Sequence, residues 1–181
     1  MKAIIAVLFL SMVSIGVSAE ETEHNYKFKD NDWTYTFRHR EGTYHTEIGK
    51  QVGPINVMYR YADLDGTIEN RIKFTHKLYQ YKNIKLSHRI EYRDFDNEES
   101  HWRYRFILDV KHQVADDVYL WAKVQPRWSM KDVRTSFDTR DQIGLQFVFG
   151  DVKVSPFVER GATEDYRHNY VLYGTYFEYK L

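Results

Sequence analysis

HWRYRFILDVKHQVADDVYLWAKVQPRW, residues 101–128, is the stretch whose reading decides the fold. On its first arm Trp102, Tyr104, Phe106, Leu108 and Val110 share one parity, and Arg103, Arg105, Asp109 and Lys111 the other. Gln113-Val114-Ala115-Asp116 turns the chain. The second arm sets Val118, Leu120, Ala122 and Val124 against Tyr119, Lys123, Gln125 and Arg127. Side chains on a strand alternate faces with a period of two, so each arm has one apolar and one charged, mainly basic face. The apolar residues are β-branched, aromatic or leucine, which suits a pleated strand. Recurrence at three and four residues, the mark of an amphipathic helix, is absent. The stretch is a long antiparallel hairpin.

The same alternation extends in both directions. Trp33, Tyr35 and Phe37 begin it, and Tyr44, Thr46 and Ile48 continue it. Ile55, Val57, Tyr59 and Tyr61 follow, and Asp65-Gly66 is a strong hairpin marker. Ile68, Ile72, Phe74 and Leu78 then oppose Glu69, Arg71, Lys73, Thr75, Lys77 and Tyr79. Beyond Lys82-Asn83, Ile84, Leu86, Ile90 and Tyr92 oppose Lys85, Arg89, Glu91 and Arg93. After residue 128 the pattern returns at Ile143–Phe149, at Val152–Val158 and from Val171 to Leu181. This predicts ten strands over residues 33–181 and no helix. Residues 20–32 read as a periplasmic tail, with Tyr26 and Phe28 too brief an alternation to require a strand. The connections at 94–100, 129–140 and 160–169 are long and polar, whereas Val52-Gly53-Pro54, Lys82-Asn83, Ala115-Asp116 and Gly150-Asp151 are tight. Transmembrane barrels sort their turns in this way, short on one side and long on the other.

One chain of 181 residues allows a single domain. Residues 1–19 read as a secretory signal peptide: Lys2, an apolar run from Ala3 to Leu10, and Val17-Ser18-Ala19 as the cleavage site. Ser11, Ser14 and Gly16 break that run short of a membrane-anchor helix. The 26 bases and 26 acids balance, which leaves no bulk charge for binding nucleic acid. Zero cysteines exclude disulfides and thiolate metal sites. Two barrels fit the alternation: a soluble one with its apolar face inward around a lipophilic ligand, or an outer-membrane one with that face in lipid. Trp33, Tyr61, Tyr92, Trp102, Trp128 and Tyr179 lie on the apolar parity near strand ends, as an interfacial girdle does. The terminal Phe177-Glu178-Tyr179-Lys180-Leu181 resembles the signal read by the outer-membrane assembly machinery. The expectation is a transmembrane antiparallel up-and-down β-barrel in a Gram-negative outer membrane. Three histidines on the lipid parity (His76, His88, His112) and two in-strand prolines (Pro126, Pro156) fit it badly.

Several stretches also resemble the outer-membrane porins specific for acidic oligosaccharides, the oligogalacturonate and N-acetylneuraminate channels. The resemblance is carried by Arg103-Tyr104-Arg105, the Ala115–Ala122 turn with its Asp116-Asp117 pair and Trp121, and Ser155-Pro156-Phe157-Val158-Glu159. The aromatic alternation ending at Leu181 adds to it. It covers the chain from about Trp102 onward. Members of that family form twelve-stranded barrels on longer chains, so the resemblance implies a shortened member.

With the apolar face outward, the lumen is expected to be lined by Arg71, Lys73, Lys77, Lys85, Arg89, Arg93, Arg103, Arg105, Lys111, Lys123 and Arg127. The same strands offer only Glu69, Glu91 and Asp109, while Glu47, Glu159 and Glu178 lie on the far wall. A one-sided basic wall suits small anions and short acidic oligosaccharides, because guanidinium forks match carboxylates. Tyr119, Trp121, Tyr170 and Tyr176 share that parity and are placed to stack on sugar rings. The competing expectation is a structural barrel whose inward charges form a salt-bridged plug. An outer-membrane enzyme is the third: His101 and His168 lie near the outer rim, with no nucleophile motif beside them. No metal-ligand or phosphate-cradle spacing is present, so neither metal nor cofactor is expected.

Overall fold

The computed structural model describes residues 22–131, 134–163 and 170–181. The expected signal peptide, 1–19, lies outside them. Among the described residues eleven strands form the fold: β1 (Thr22–Asp30), β2 (Trp33–Arg40), β3 (Thr43–Val52), β4 (Ile55–Leu64), β5 (Thr67–Tyr81), β6 (Ile84–Phe95), β7 (His101–Ala115), β8 (Val118–Lys131), β9 (Arg134–Phe149), β10 (Val152–Thr163) and β11 (Tyr170–Lys180). Each pairs antiparallel with its neighbour in sequence, and β1 closes on β11 in parallel. An odd number of strands in an up-and-down meander leaves its first and last strands running the same way, which is why the seam is parallel. Closure leaves no edge strand with unpaired backbone groups.

The tail and the strand count need correction. Residues 22–30 form β1, paired with β2 from Glu23↔Arg40 to Asp30↔Trp33 and with β11 from Thr22↔Tyr173 to Lys29↔Lys180. The barrel therefore has eleven strands rather than ten. β1 also starts at the rim of the β6–β7 connection, here the upper rim, while β11 ends at the lower rim, so the strand meander begins and ends on opposite sides. The long polar connection expected at 129–140 is also corrected. β8 continues to Lys131 and β9 begins at Arg134, with pairs running from Arg127↔Asp138 to Lys131↔Arg134. In the same way β10 continues to Thr163, so the connection expected at 160–169 is shorter, and residues 164–169 lie outside the described ones. Tight turns are handled locally. Asp65 and Gly66 both take positive φ, 56° and 88°, as the hairpin turn that matches strand twist requires.

The interior is polar and the exterior apolar. Glu47, Arg60, Glu69, Arg71, Lys73, Glu91 and Arg105 are buried, while Ile72, Phe74, Ile90, Leu108, Leu120, Ile143 and Tyr173 are exposed. This excludes the soluble barrel with an apolar interior. One departure from strict alternation follows from irregular pairing. A register shift between Lys77 and Tyr79 moves the inward parity, so Tyr79 is 54% exposed and Gln80 faces inward. The inward placement expected of Tyr79 is thus corrected. The prolines sit where the ladders are interrupted. β7–β8 lacks pairs opposite Pro126, and β9–β10 lacks them at Ser155-Pro156, where proline supplies no N–H to the ladder. His76 and His88 are directly opposed on the outer face, with ring nitrogens 3.3 Å apart, and His88 Nδ1 lies 3.4 Å from the Tyr104 hydroxyl. Each imidazole thereby has a polar neighbour on an otherwise apolar surface.

Candidate functional site: the lumen

Inward residues from every strand meet around a cavity of about 1090 Å³. Residues from both rims line it: Arg40 and Leu64 beside upper turns, Lys82 and Asn83 in a lower one. Ten of the eleven expected bases line it. Lys77 does not. It is exposed beside the bulge and donates to the Gln80 side-chain oxygen at 3.2 Å.

Three carboxylates organise the middle of this space. Glu91, fully buried on β6, takes Arg105 at 3.1 Å, Arg71 at 3.3 Å and Arg89 at 3.5 Å. Glu69, fully buried on β5, takes Arg71 and Arg93, each at 2.6 Å. Arg71 therefore bridges two glutamates. Glu47 reaches over β4 to Lys73 at 2.6 Å and also pairs with Arg60. A charge taken out of water is tolerable only when paired, and each of these three acids holds two or three cations. On the other side of the barrel Glu159 takes Arg140 at 2.9 Å, Gln142 at 2.6 Å and the Tyr170 hydroxyl at 2.9 Å. Arg127 pairs with Asp138 of β9.

The expectation of a basic wall facing a sparse acidic wall is therefore corrected. Glu159 pairs with Arg140 of the adjacent β9, and Glu47 with Arg60 of the adjacent β4 and, across the curved wall, with Lys73 of β5, so both acids sit beside bases rather than opposite them. Four of the expected bases have no carboxylate partner among the described residues: Lys77, Lys85, Arg103 and Lys111. Arg103 donates to Ser129 Oγ at 2.9 Å. Lys111 bonds the Gln146 side chain and lies 3.9 Å from the Tyr119 ring centroid. Even so, among the described residues the cavity lining holds sixteen Lys and Arg against five Asp and Glu, and counting Glu91, Glu159 and Asp138, which pair with lining arginines, still leaves bases in excess.

A second chemistry fills the wall of β8–β11. Trp121, Phe157 and Tyr176 pack together, with Phe157 stacked on Tyr176 at 4.5 Å and Leu172 fully buried beside them. Three large rings each cover a glycine on the neighbouring strand: Trp121 over Gly144, Phe157 over Gly174, Tyr170 over Gly161. The ring faces expected to stack on sugars are largely engaged with one another. Tyr119 keeps its contact with Lys111, and Lys123 lies 5.6 Å and 5.8 Å from the Trp121 and Tyr176 centroids.

Arg38, Arg60 and Arg140 line the lumen although the eleven expected bases did not include them. Arg38 and Arg60 lie on the charged parity of weakly charged strands, and Arg140 falls in the stretch read as a connection. Phe157 and Leu172 were missed because their inward parity alternates with equally apolar neighbours.

No family model and no curated protein matches the chain. Among solved structures, the outer-membrane expressed OmpT of Vibrio cholerae aligns with 77% of this chain at 11% identity and a TM-score of 0.42. The chain spans about half the length of that protein, 53%.

Proposed function

We propose that this chain is an outer-membrane β-barrel channel, a shortened relative of the acidic-oligosaccharide porins, whose lumen passes small anions and short acidic oligosaccharides. The observation that carries the reading is the lining, sixteen bases to five acids among the described residues, around a cavity that residues of both rims line. Within such a space a passing ion stays closer to several bases than the ~8–10 Å over which salt screens charge. The membrane placement rests on the inverted polarity of the barrel. Hydrocarbon offers the backbone no hydrogen bonds, so a closed ladder with apolar residues outward is one of the two structures able to span it. Replacing the outward, mid-strand Leu108 by Arg should cost about 2–4 kcal/mol and reduce folding into lipid bilayers. A protein that stays soluble without detergent removes this reading altogether.

The second reading, a structural barrel with a closed lumen, is favoured by the carboxylates that clamp Arg71, Arg89, Arg93 and Arg105. Single-channel recording separates the two. The channel reading expects conductance with a reversal potential in a salt gradient that favours anions. Absence of conductance from folded protein establishes the plug.

A further inference from the structure

The lumen bases are sorted by type. Arginines such as Arg60, Arg71, Arg93 and Arg105 occupy the upper and middle parts, held in the carboxylate network. At the lower rim the bases are lysines, and three of them converge on one acid. Glu178 of β11 takes Lys29 at 2.9 Å and Lys27 at 3.5 Å from β1, and Lys153 at 2.9 Å from β10. The three lysine side chains are each a little over one-third exposed, so water and solutes reach them. Lys27 and Glu178 line the lumen.

We propose that Lys27, Lys29 and Lys153, gathered on Glu178, form a binding site for a divalent oxyanion of the hydrogen phosphate type at the lower mouth. The argument is one of charge and geometry. Three cations around one carboxylate leave a surplus of two positive charges, which a dianion neutralises and chloride does not. Ammonium groups act as rotatable point charges with three donors each, which fits a tetrahedral oxyanion that presents acceptors in several directions. Arg60, Arg71, Arg93 and Arg105 are held by buried carboxylates and lack this freedom.

The site also straddles the parallel seam, since Lys27 and Glu178 are register partners across β1–β11 and Lys153 pairs with Glu178 across β10–β11. An anion held there ties β1 to both strands, so its binding stabilises the closed barrel by mass action.

The experiment follows thermal unfolding of the detergent-folded, lipid-free protein in phosphate, sulfate and chloride at matched ionic strength. Phosphate and sulfate should raise the unfolding temperature above its value in chloride, in a saturable way. Lys153→Gln, and more strongly Lys29→Gln with Lys153→Gln, should weaken half-saturating phosphate about tenfold or more, since each change removes a charge within direct reach of the anion. Equal stability in all three salts overturns the site, as does a phosphate effect unchanged in the double variant. Stabilisation by phospholipid but not by inorganic phosphate assigns the lysines to a lipid headgroup and also overturns it. Unfolding is read without any current, so the site and the channel reading, whose basic lumen prompts it, fail separately.

Discussion

Two walls of one lumen solve the same problem with different chemistry. The wall of β3–β7 fills its inward positions with ions: Glu47, Glu69 and Glu91 hold Arg60, Lys73, Arg71, Arg93, Arg89 and Arg105. The wall of β8–β11 fills much of its own with Trp121, Phe157, Leu172 and Tyr176, the first two packed over glycines. The ionic wall depends on mutual compensation, so deleting one member leaves others stranded. The aromatic wall depends on shape, so adding volume harms it more than altering charge does.

The largest expected effect lies at the centre of the ionic wall. Glu91→Gln leaves Arg71, Arg89 and Arg105 without their shared carboxylate, and a stranded buried charge costs about 3–5 kcal/mol. Urea unfolding from bilayers or micelles should show that loss. A change below about 1 kcal/mol, the range of exposed ion pairs, would mean that water already reaches this network, and the contrast between the walls would break.

On the aromatic wall the test is a single methyl group. A Cβ at Gly144 would lie 2.3 Å from the Pro156 carbonyl oxygen and 2.9 Å from both Phe157 Cβ and Trp121 Cζ2. The backbone oxygen cannot move aside as a flexible side chain would, so Gly144→Ala should destabilise by about 1–3 kcal/mol, the range for overpacking. The loss should be the same in low and high salt, whereas salt should alter the response at Glu91. If Gly144→Ala is neutral, the rings over the glycines are loosely held and free to meet a solute.

How much of this was legible in the sequence follows from which contacts are local. Alternation in residues 101–128 is a property of single strands, and the structure keeps both parities there. β1 escaped notice because Tyr26 and Phe28 are a short signal, and their place is fixed by a parallel register with β11, about 150 residues away. Residues 134–140 look like a loop because they are polar. They form strand because Asp138 meets Arg127 inside while Phe137 packs on Trp128. The pairing partners were hidden for a further reason. Glu47 reaches Lys73 over the intervening β4, a contact set by the curvature of a closed barrel that no spacing along the chain encodes. Parity shows which residues face inward, and closure decides which of them meet.

The smallest expected change in stability is the most informative for function. Exchanging Arg89 and Arg105 for Glu would place new carboxylates beside Glu91, so altered selectivity could reflect a damaged barrel. Arg103 avoids that confusion. It lines the cavity, donates to Ser129 Oγ at 2.9 Å and has no carboxylate partner among the described residues. Arg103→Gln should therefore cost only about 1 kcal/mol, the worth of one hydrogen bond, while removing a charge the network does not neutralise. Arg103→Glu should move the reversal potential in a salt gradient toward cations, further than Arg103→Gln, and the shift should shrink as salt rises. If both variants fold and conduct with wild-type selectivity, the bases without carboxylate partners do not set the ion preference. Selectivity would then have to come from the clamped arginines, and the ionic wall would be a filter rather than a frame.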